Sequence, residues 1–338
     1  MNDARRGRAL AAMADAGIDA LILGREANAR YVSGARRLWL AGARAFAPGC
    51  VLVASGDVHL LSGSDEGIPD DILLEHLYAL TWNPANFMAR LAAIPELASA
   101  RAIGVDALTP LMESLLTSTF PRSELRDGQS VLFAARRQKL PAEVDRMRDA
   151  MAIATSALDD VAAATLPGAR ERDLRALFEL RMCELGTTTP AFEGRFGSVF
   201  PGDRAVEAGD RVVLDAGVLV DGYEGSLART VVCGSGAAEP NPASSLFAAL
   251  SDAVRPGASG PDLWAAWDGA KVDRPSRRAG HPIAHGVGLG VEPPFIGDDR
   301  EPFAEGMTLS VGAEIDGWVH RDTVVVTAGG AELLSAGR

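Results

Sequence analysis

Residues 211–233 constrain the fold of this chain more than any other segment. Arg211–Val220 is a nearly continuous apolar run, Asp221-Gly222 follows as a turn dipeptide, and residues 227–233 return as a second apolar run. Asp-Gly between two such runs is the kind of turn that joins antiparallel strands, so the spacing predicts a long hairpin. The first strand carries Asp215 within its apolar run. A carboxylate there must be paired, hydrogen-bonded or protonated, because an isolated buried charge is costly.

Helical periodicity surrounds this hairpin. Val144, Met147, Met151, Leu158 and Val161 recur at helical spacing over 141–164, which makes that face core. Pro141 stands at a helix-start position, and Leu166-Pro167-Gly168 ends the segment. A second helix is predicted over 170–185, ending at Gly186, with further helices near 241–254 and 260–270 and closing strands at 307–311 and 322–327. The first 130 residues alternate differently. The pattern reads as a helix over 4–16 with Gly17 as its C-cap, a strand at 18–23, a hairpin of 51–54 and 58–61, a helix over 83–96, a strand at 101–105 and a helix over 109–119. Alternating elements of this kind build a three-layer α/β domain. The charged stretch 134–143 separates the two patterns, giving domains of 1–133 and 134–338.

Composition excludes several functions. A net charge of −12 argues against nucleic-acid binding through phosphate neutralisation and against docking on anionic membranes. No apolar run reaches the roughly 18 residues of a membrane span, and the N-terminus lacks a signal-peptide core. Cys50, Cys183 and Cys233 are odd in number and far apart, so they form neither a disulfide framework nor a thiolate metal site. A cytoplasmic protein is the default expectation.

Six segments, in order, resemble one family. They are AGIDALILGREANARYVSG (16–34), KLPAEVDRMRDAMAIA (139–154), LDAGVLVDGYEGSLART (214–230), HPIAHGVGLGVEPPF (281–295), EGMTLSV (305–311) and RDTVVVT (321–327). Together they resemble the M24 peptidase and creatinase group, the pita-bread Xaa-Pro peptidases and their relatives. The resemblance implies an α/β (α+β) chain with an N-terminal creatinase-like domain and a C-terminal pita-bread domain. It also implies a homodimer.

Metal-dependent members of this group hold two divalent ions with two Asp, one His and two Glu. Carried over position by position, this set is Asp215, Ser226, His285, Gly312 and Arg321. Two further family histidines fall on Ser198 and on a deletion after Val291, while an earlier one is retained as His281. Intact ligands would bring four negative charges against two dications. Here Asp215 brings one negative charge and Arg321 one positive, and a guanidinium cannot coordinate a cation. The expectation is therefore no metal and no other cofactor. Glu314, two residues beyond Gly312, would face the same side of a strand and is the one candidate for a shifted ligand.

The expected catalytic residues are His285, His281, Asp215 and Glu292, with Arg321, Ser226, Tyr223 and Glu314 in substrate binding. Arg321 either binds a substrate carboxylate or closes a structural salt bridge with Asp215. His320 would face away from Arg321's side of the strand, and His59 and His76 read as packing or surface residues. The resulting expectation is an enzyme acting without metal on a small polar, anionic substrate through His acid–base chemistry. Hydrolysis of a C–N bond, as in creatinase, or a lyase, cyclisation or isomerisation reaction fits this scheme. The alternatives are a non-catalytic binding module and an ordinary metal-dependent Xaa-Pro peptidase.

Overall fold

A computed structural model describes residues 1–35, 49–62, 64–79, 81, 83–198, 200–234, 241–275, 283–296 and 300–335. It divides into two compact units, Met1–Arg136 and Arg137–Arg338. No helix among the described residues is long and apolar enough to cross a membrane.

The first unit is a six-stranded sheet between helices. Its strands are β1 (Ala20–Leu23), β2 (Cys50–Val53), β3 (Val58–Leu61), β4 (Leu77–Tyr78), β5 (Ala102–Val105) and β6 (Glu124–Asp127), in the order β4-β3-β2-β1-β5-β6. Among the described residues its helices are α1 (Asn2–Asp15), α2 (Glu26–Ser33), α3 (Pro84–Ala92), α4 (Pro95–Ser99), α5 (Pro110–Thr119) and α6 (Gly128–Arg136). On one face Ala20, Ile22, Val53 and Ile103 pack with Phe87, Met88 and Leu91 of α3 and Leu116 of α5. α1, α2 and α6 pack on one another, and the buried Tyr31 of α2 donates its hydroxyl to the Ala135 carbonyl of α6 at 2.9 Å. Asp106, also buried, accepts the backbone N–H groups of Gly24 and Arg25 and the amide of Asn28, which ties the start of α2 to the end of β5.

The helix expected over 83–96 is two helices. Pro95 has no N–H to continue the first, and the residue before a proline is pushed into extended backbone, as Ile94 is at φ −81°, ψ 112°. β6 and α6 were not anticipated. β6 is a polar edge strand, and α6 runs into the charged stretch 134–143.

The second unit has an eight-stranded sheet: β7 (Arg195–Phe196), β8 (Arg211–Val220), β9 (Tyr223–Val232), β10 (Ala284–Gly288), β11 (Gly290–Phe295), β12 (Thr308–Ile315), β13 (Trp318–Thr327) and β14 (Gly330–Leu333). The order is β11-β10-β12-β13-β9-β8-β7, with β14 paired to β13. Among the described residues four helices accompany it: α7 (Pro141–Ala164), α8 (Glu171–Glu184), α9 (Pro242–Ala253) and α10 (Gly260–Gly269). The predicted hairpin is β8–β9, and its turn residues Asp221 and Gly222 both have positive φ, 49° and 83°. A second Asp-Gly pair, Asp316-Gly317 at φ 50° and 80°, joins β12 to β13, so both strands run well past the expected 307–311 and 322–327.

Residue parity on these strands assigns the two faces. Gly225 of β9 lies against α7 so closely that a Cβ there would meet the Met151 nitrogen at 2.3 Å and the Ala150 carbonyl carbon at 2.4 Å. Leu309, Val311, Val324 and Val326 pack with Leu246, Phe247 and Leu250 of α9. Even-numbered residues of β13 therefore face α9, while Val319, Arg321 and Thr323 face the other way.

Candidate active site

The face opposite those helices carries one cross-strand row. Arg195 pairs with Asp215, Asp215 with Ala228, Ala228 with Arg321, and Arg321 with Gly312. Directly opposed residues in a sheet project from the same face, so β7, β8, β9, β13 and β12 deliver these positions to one place. Ser226 lies two residues from Ala228 on the same face, and His285 is paired with Ser310, two residues from Gly312. All five positions carried over from the metal-binding set thus share one face of the sheet.

A cavity of about 350 Å³ opens over this row. Asp215, Arg321, Glu314, Glu193 and Arg195 supply its charges; Phe192, Trp267, Ile283 and Val319 are among its apolar walls. Its size is at the small end of the ~300–1,000 Å³ usual for ligand pockets. Arg321 is held from three sides. It forms an ion pair with Asp215, and Nη1 donates to Ser226 Oγ at 2.8 Å and Ser310 Oγ at 3.2 Å. The Phe192 ring lies 5.5 Å from the guanidinium carbon. Two of the five N–H donors, on Nε and Nη2, have no protein acceptor among the described residues. The Arg321 and Asp215 side chains are 19% and 22% exposed, so the pair is open to the cavity. Of the two roles predicted for Arg321, the salt bridge is formed, and donors remain for a second partner.

Three expected site residues lie elsewhere or do another job. Glu292 is not a free acid or base: it is buried and ion-paired with the equally buried Lys139, each side chain 2% exposed. Burial of one charge demands the other. Tyr223 does not line the cavity. It is buried, and its hydroxyl donates to Glu143 Oε1 at 2.5 Å, while Glu143 Oε2 accepts the Leu140 N–H at the start of α7. Ser226 is fully buried; its hydroxyl donates to Glu224 Oε1 at 2.8 Å and accepts from Arg321, so it positions the guanidinium rather than meeting a ligand.

Glu314 lines the cavity on the same side as Gly312, as strand parity predicted. His285 is half-buried, and its Nδ1 lies 3.0 Å from the Gly286 carbonyl. A carbonyl only accepts, so this contact requires a proton on Nδ1. The ring does not line the cavity, although Ile283, two residues earlier, does. His281 lies outside the described residues. Ser198 donates to Glu171 Oε2 at 2.6 Å, and Glu171 is buried and also paired with Arg204.

His320 faces α9, where Nδ1 meets Ser244 Oγ at 2.9 Å and the ring stacks on Phe247 with centroids 4.2 Å apart. Burial, with help from the Arg229 charge, lowers its pKa to about 4. In the first unit, His59 stacks on His76 at 4.0 Å and meets the Tyr78 hydroxyl at 2.9 Å. Burial there lowers the His59 pKa.

The donor set does not fit a two-ion centre. Of the five positions only Asp215 and His285 retain ligating side chains, and Asp215 is already paired with a guanidinium. Among the described residues, no group of three or more His, Cys, Asp or Glu side chains is gathered closely enough to hold an ion.

Sequence reasoning missed Arg195, Phe192, Glu193 and Trp267 as cavity residues. β7 is only two residues long, and nothing local marks it as a strand.

Comparison with known proteins agrees with this architecture. The Xaa-Pro dipeptidase of Pyrococcus furiosus is 28% identical over 217 residues, 58% of this chain and 62% of that protein, so this match spans less than two thirds of the relative. The Xaa-Pro dipeptidase of Pyrococcus horikoshii is 25% identical over 94% of this chain and 93% of its own length. The crystal structure of the prolidase from P. horikoshii OT3 superposes with a TM-score of 0.78 at 21% identity, covering 99% of this chain and 98% of that one. Residues 5–138 match the creatinase/prolidase N-terminal domain. Residues 145–328 match metallopeptidase family M24, and the chain belongs to that family.

Proposed function

We propose that this protein is a metal-independent M24 homologue that binds a small polar molecule with an anionic group in the cavity over Arg321, and acts on it by side-chain acid–base chemistry. The observation that supports this most is the Arg321 guanidinium, fixed by Asp215, Ser226 and Ser310 at a position where the metal-dependent relatives' pattern requires a carboxylate. A cation there repels a dication, and its remaining N–H groups can donate to an anionic group. Asp215 and Arg321 cancel each other's charge without metal. In this scheme Arg321 donates its remaining N–H groups to the ligand, and His285 serves as the proton carrier. Bond cleavage between C and N or a rearrangement fits these groups equally.

The test combines metal content with ligand response. The purified, dialysed protein is expected to hold only sub-stoichiometric metal by elemental analysis, and small carboxylates are expected to raise its melting temperature equally with and without chelator. Near-stoichiometric Mn, Co, Zn or Fe, with chelator abolishing turnover of Xaa-Pro dipeptides, would establish instead the second reading, which the two dipeptidase relatives favour. A binding protein without catalysis is favoured by the absence of His285 from the cavity lining. Turnover of any ligand so identified, unchanged in a His285→Ala variant, would remove that histidine from the mechanism.

A further inference from the structure

We propose that Arg195 neutralises the anionic group of the cavity's ligand, and that this ligand is a monocarboxylate with a compact apolar body. The proposal rests on the cavity being a small-anion site and names the residue and the ligand class.

Charge pairing in the cavity separates the two arginines. The positive charge of Arg321 is already matched by Asp215, so Arg321 offers a ligand hydrogen bonds but no net counter-charge. Arg195 is different. It enters the cavity from β7, on the same cross-strand row as Asp215. Its Nε donates to the Gly197 carbonyl at 3.1 Å. Among the described residues no carboxylate stands within ion-pairing distance of it, and its Nη groups meet no acceptor. With Nε engaged, the end presented to a ligand is the Nη pair. That pair is a planar, two-pronged donor that matches the two oxygens of a carboxylate.

The other walls define the rest of the ligand. Glu193 and Glu314 also line the cavity, and neither is engaged by a cation among the described residues. With Asp215 they outnumber the two arginines, so an anionic group is accommodated only where Arg195 meets it, which argues against a dicarboxylate or a phosphate. Phe192, Trp267, Ile283 and Val319 provide apolar surface for a body of a few carbons or one ring, and a cavity of about 350 Å³ leaves little room for more.

The experiment measures binding by calorimetry and thermal shift for isovalerate and phenylacetate, the matched neutral amides, and succinate. The proteins compared are the wild type and the variants Arg195→Ala, Arg195→Gln and Arg195→Lys. Arg195 is only partly buried, so these variants are expected to fold, with circular dichroism as the check. The wild type is expected to prefer each acid over its amide. Arg195→Ala and Arg195→Gln should weaken acid binding about ten- to hundredfold, the usual cost of losing a hydrogen bond to a charged group, and erase the preference over the amide. Arg195→Lys, which keeps the charge, should retain part of it. Should the wild type bind neither acid more tightly than its amide, the small-anion reading of the cavity falls and this proposal with it. If it does prefer the acids and Arg195→Ala and Arg195→Gln bind them as tightly as wild type, only the role of Arg195 is overturned. Tighter binding of succinate than of the monocarboxylates would overturn the ligand class.

Discussion

Three substitutions at the cavity floor, Ser226→Asp, Gly312→Glu and Arg321→Glu, are expected to build in a metal response. The five positions on this face now sum to zero, one negative charge on Asp215 against one positive charge on Arg321. The triple variant would present four carboxylates and His285 on the same face of the sheet. The backbone tolerates a side chain here: the atoms nearest a Cβ at Gly312 are Arg321 side-chain carbons, at 3.4 and 3.5 Å, which is ordinary contact. Without cations the variant should be less stable than the wild type, since two carboxylates about 4 Å apart repel by ~4 kcal/mol at an effective dielectric of ~20, and the partial exposure of this site reduces that further. With Mn²⁺ at roughly a hundred times its dissociation constant, binding restores about 2.7 kcal/mol, worth about 5–11 °C in melting temperature for a unit of this size. Differential scanning fluorimetry with Mn²⁺ and with EDTA reads this directly, run beside the wild type, which should show no difference. The reasoning is refuted if the wild type gains the same Mn²⁺-dependent shift, or if the triple variant, folded by circular dichroism, gains none.

Two further predictions concern groups that the site does not use. Lys139→Met leaves Glu292 charged and buried and should cost about 3–5 kcal/mol, while Lys139→Met/Glu292→Leu should recover most of that loss. Urea unfolding followed by tryptophan fluorescence measures both, and a single-variant cost below about 1 kcal/mol would contradict the buried-pair assignment. For His320, folding depresses the pKa from 6.5 to about 4, so the unfolded chain binds the extra proton between those values. Stability from this group is complete above pH 6.5 and is lost as pH falls toward 4. His320→Phe, which keeps a ring against Phe247, should flatten the urea midpoint between pH 7 and pH 5, and an unchanged slope would count against it.

The parts of the fold that were legible in the sequence are those where local backbone chemistry decides. Asp221-Gly222 announces the β8–β9 turn because few other dipeptides adopt positive φ twice at low cost. The 3.6-residue spacing of Val144, Met147, Met151 and Leu158 announces α7 because one face of it is buried. What was not legible depends on partners far away in the chain. Glu292 looks like a catalytic candidate until Lys139, 153 residues away, is found beside it. Arg195 has no local mark, since only strand register places it in line with Asp215.

The same cause explains why the strands around the site were read too short. Asp316-Gly317 carries the signal that Asp221-Gly222 does, and it lies midway between the two predicted strands. The apolar pattern stops before reaching it because Gly312, Glu314, His320 and Arg321 interrupt it. Three of these four line the cavity. A strand that must present polar side chains to a ligand on one face loses the alternation by which strands are recognised, even though its hydrogen-bond ladder is intact. In this chain the segment where hydrophobic patterning fails, 312–321, is the one that supplies the arginine, the glutamate and the glycine of the cavity floor. The interruption of the pattern and the replacement of the metal ligands are therefore two consequences of one set of residues, and both point to the same face of the sheet.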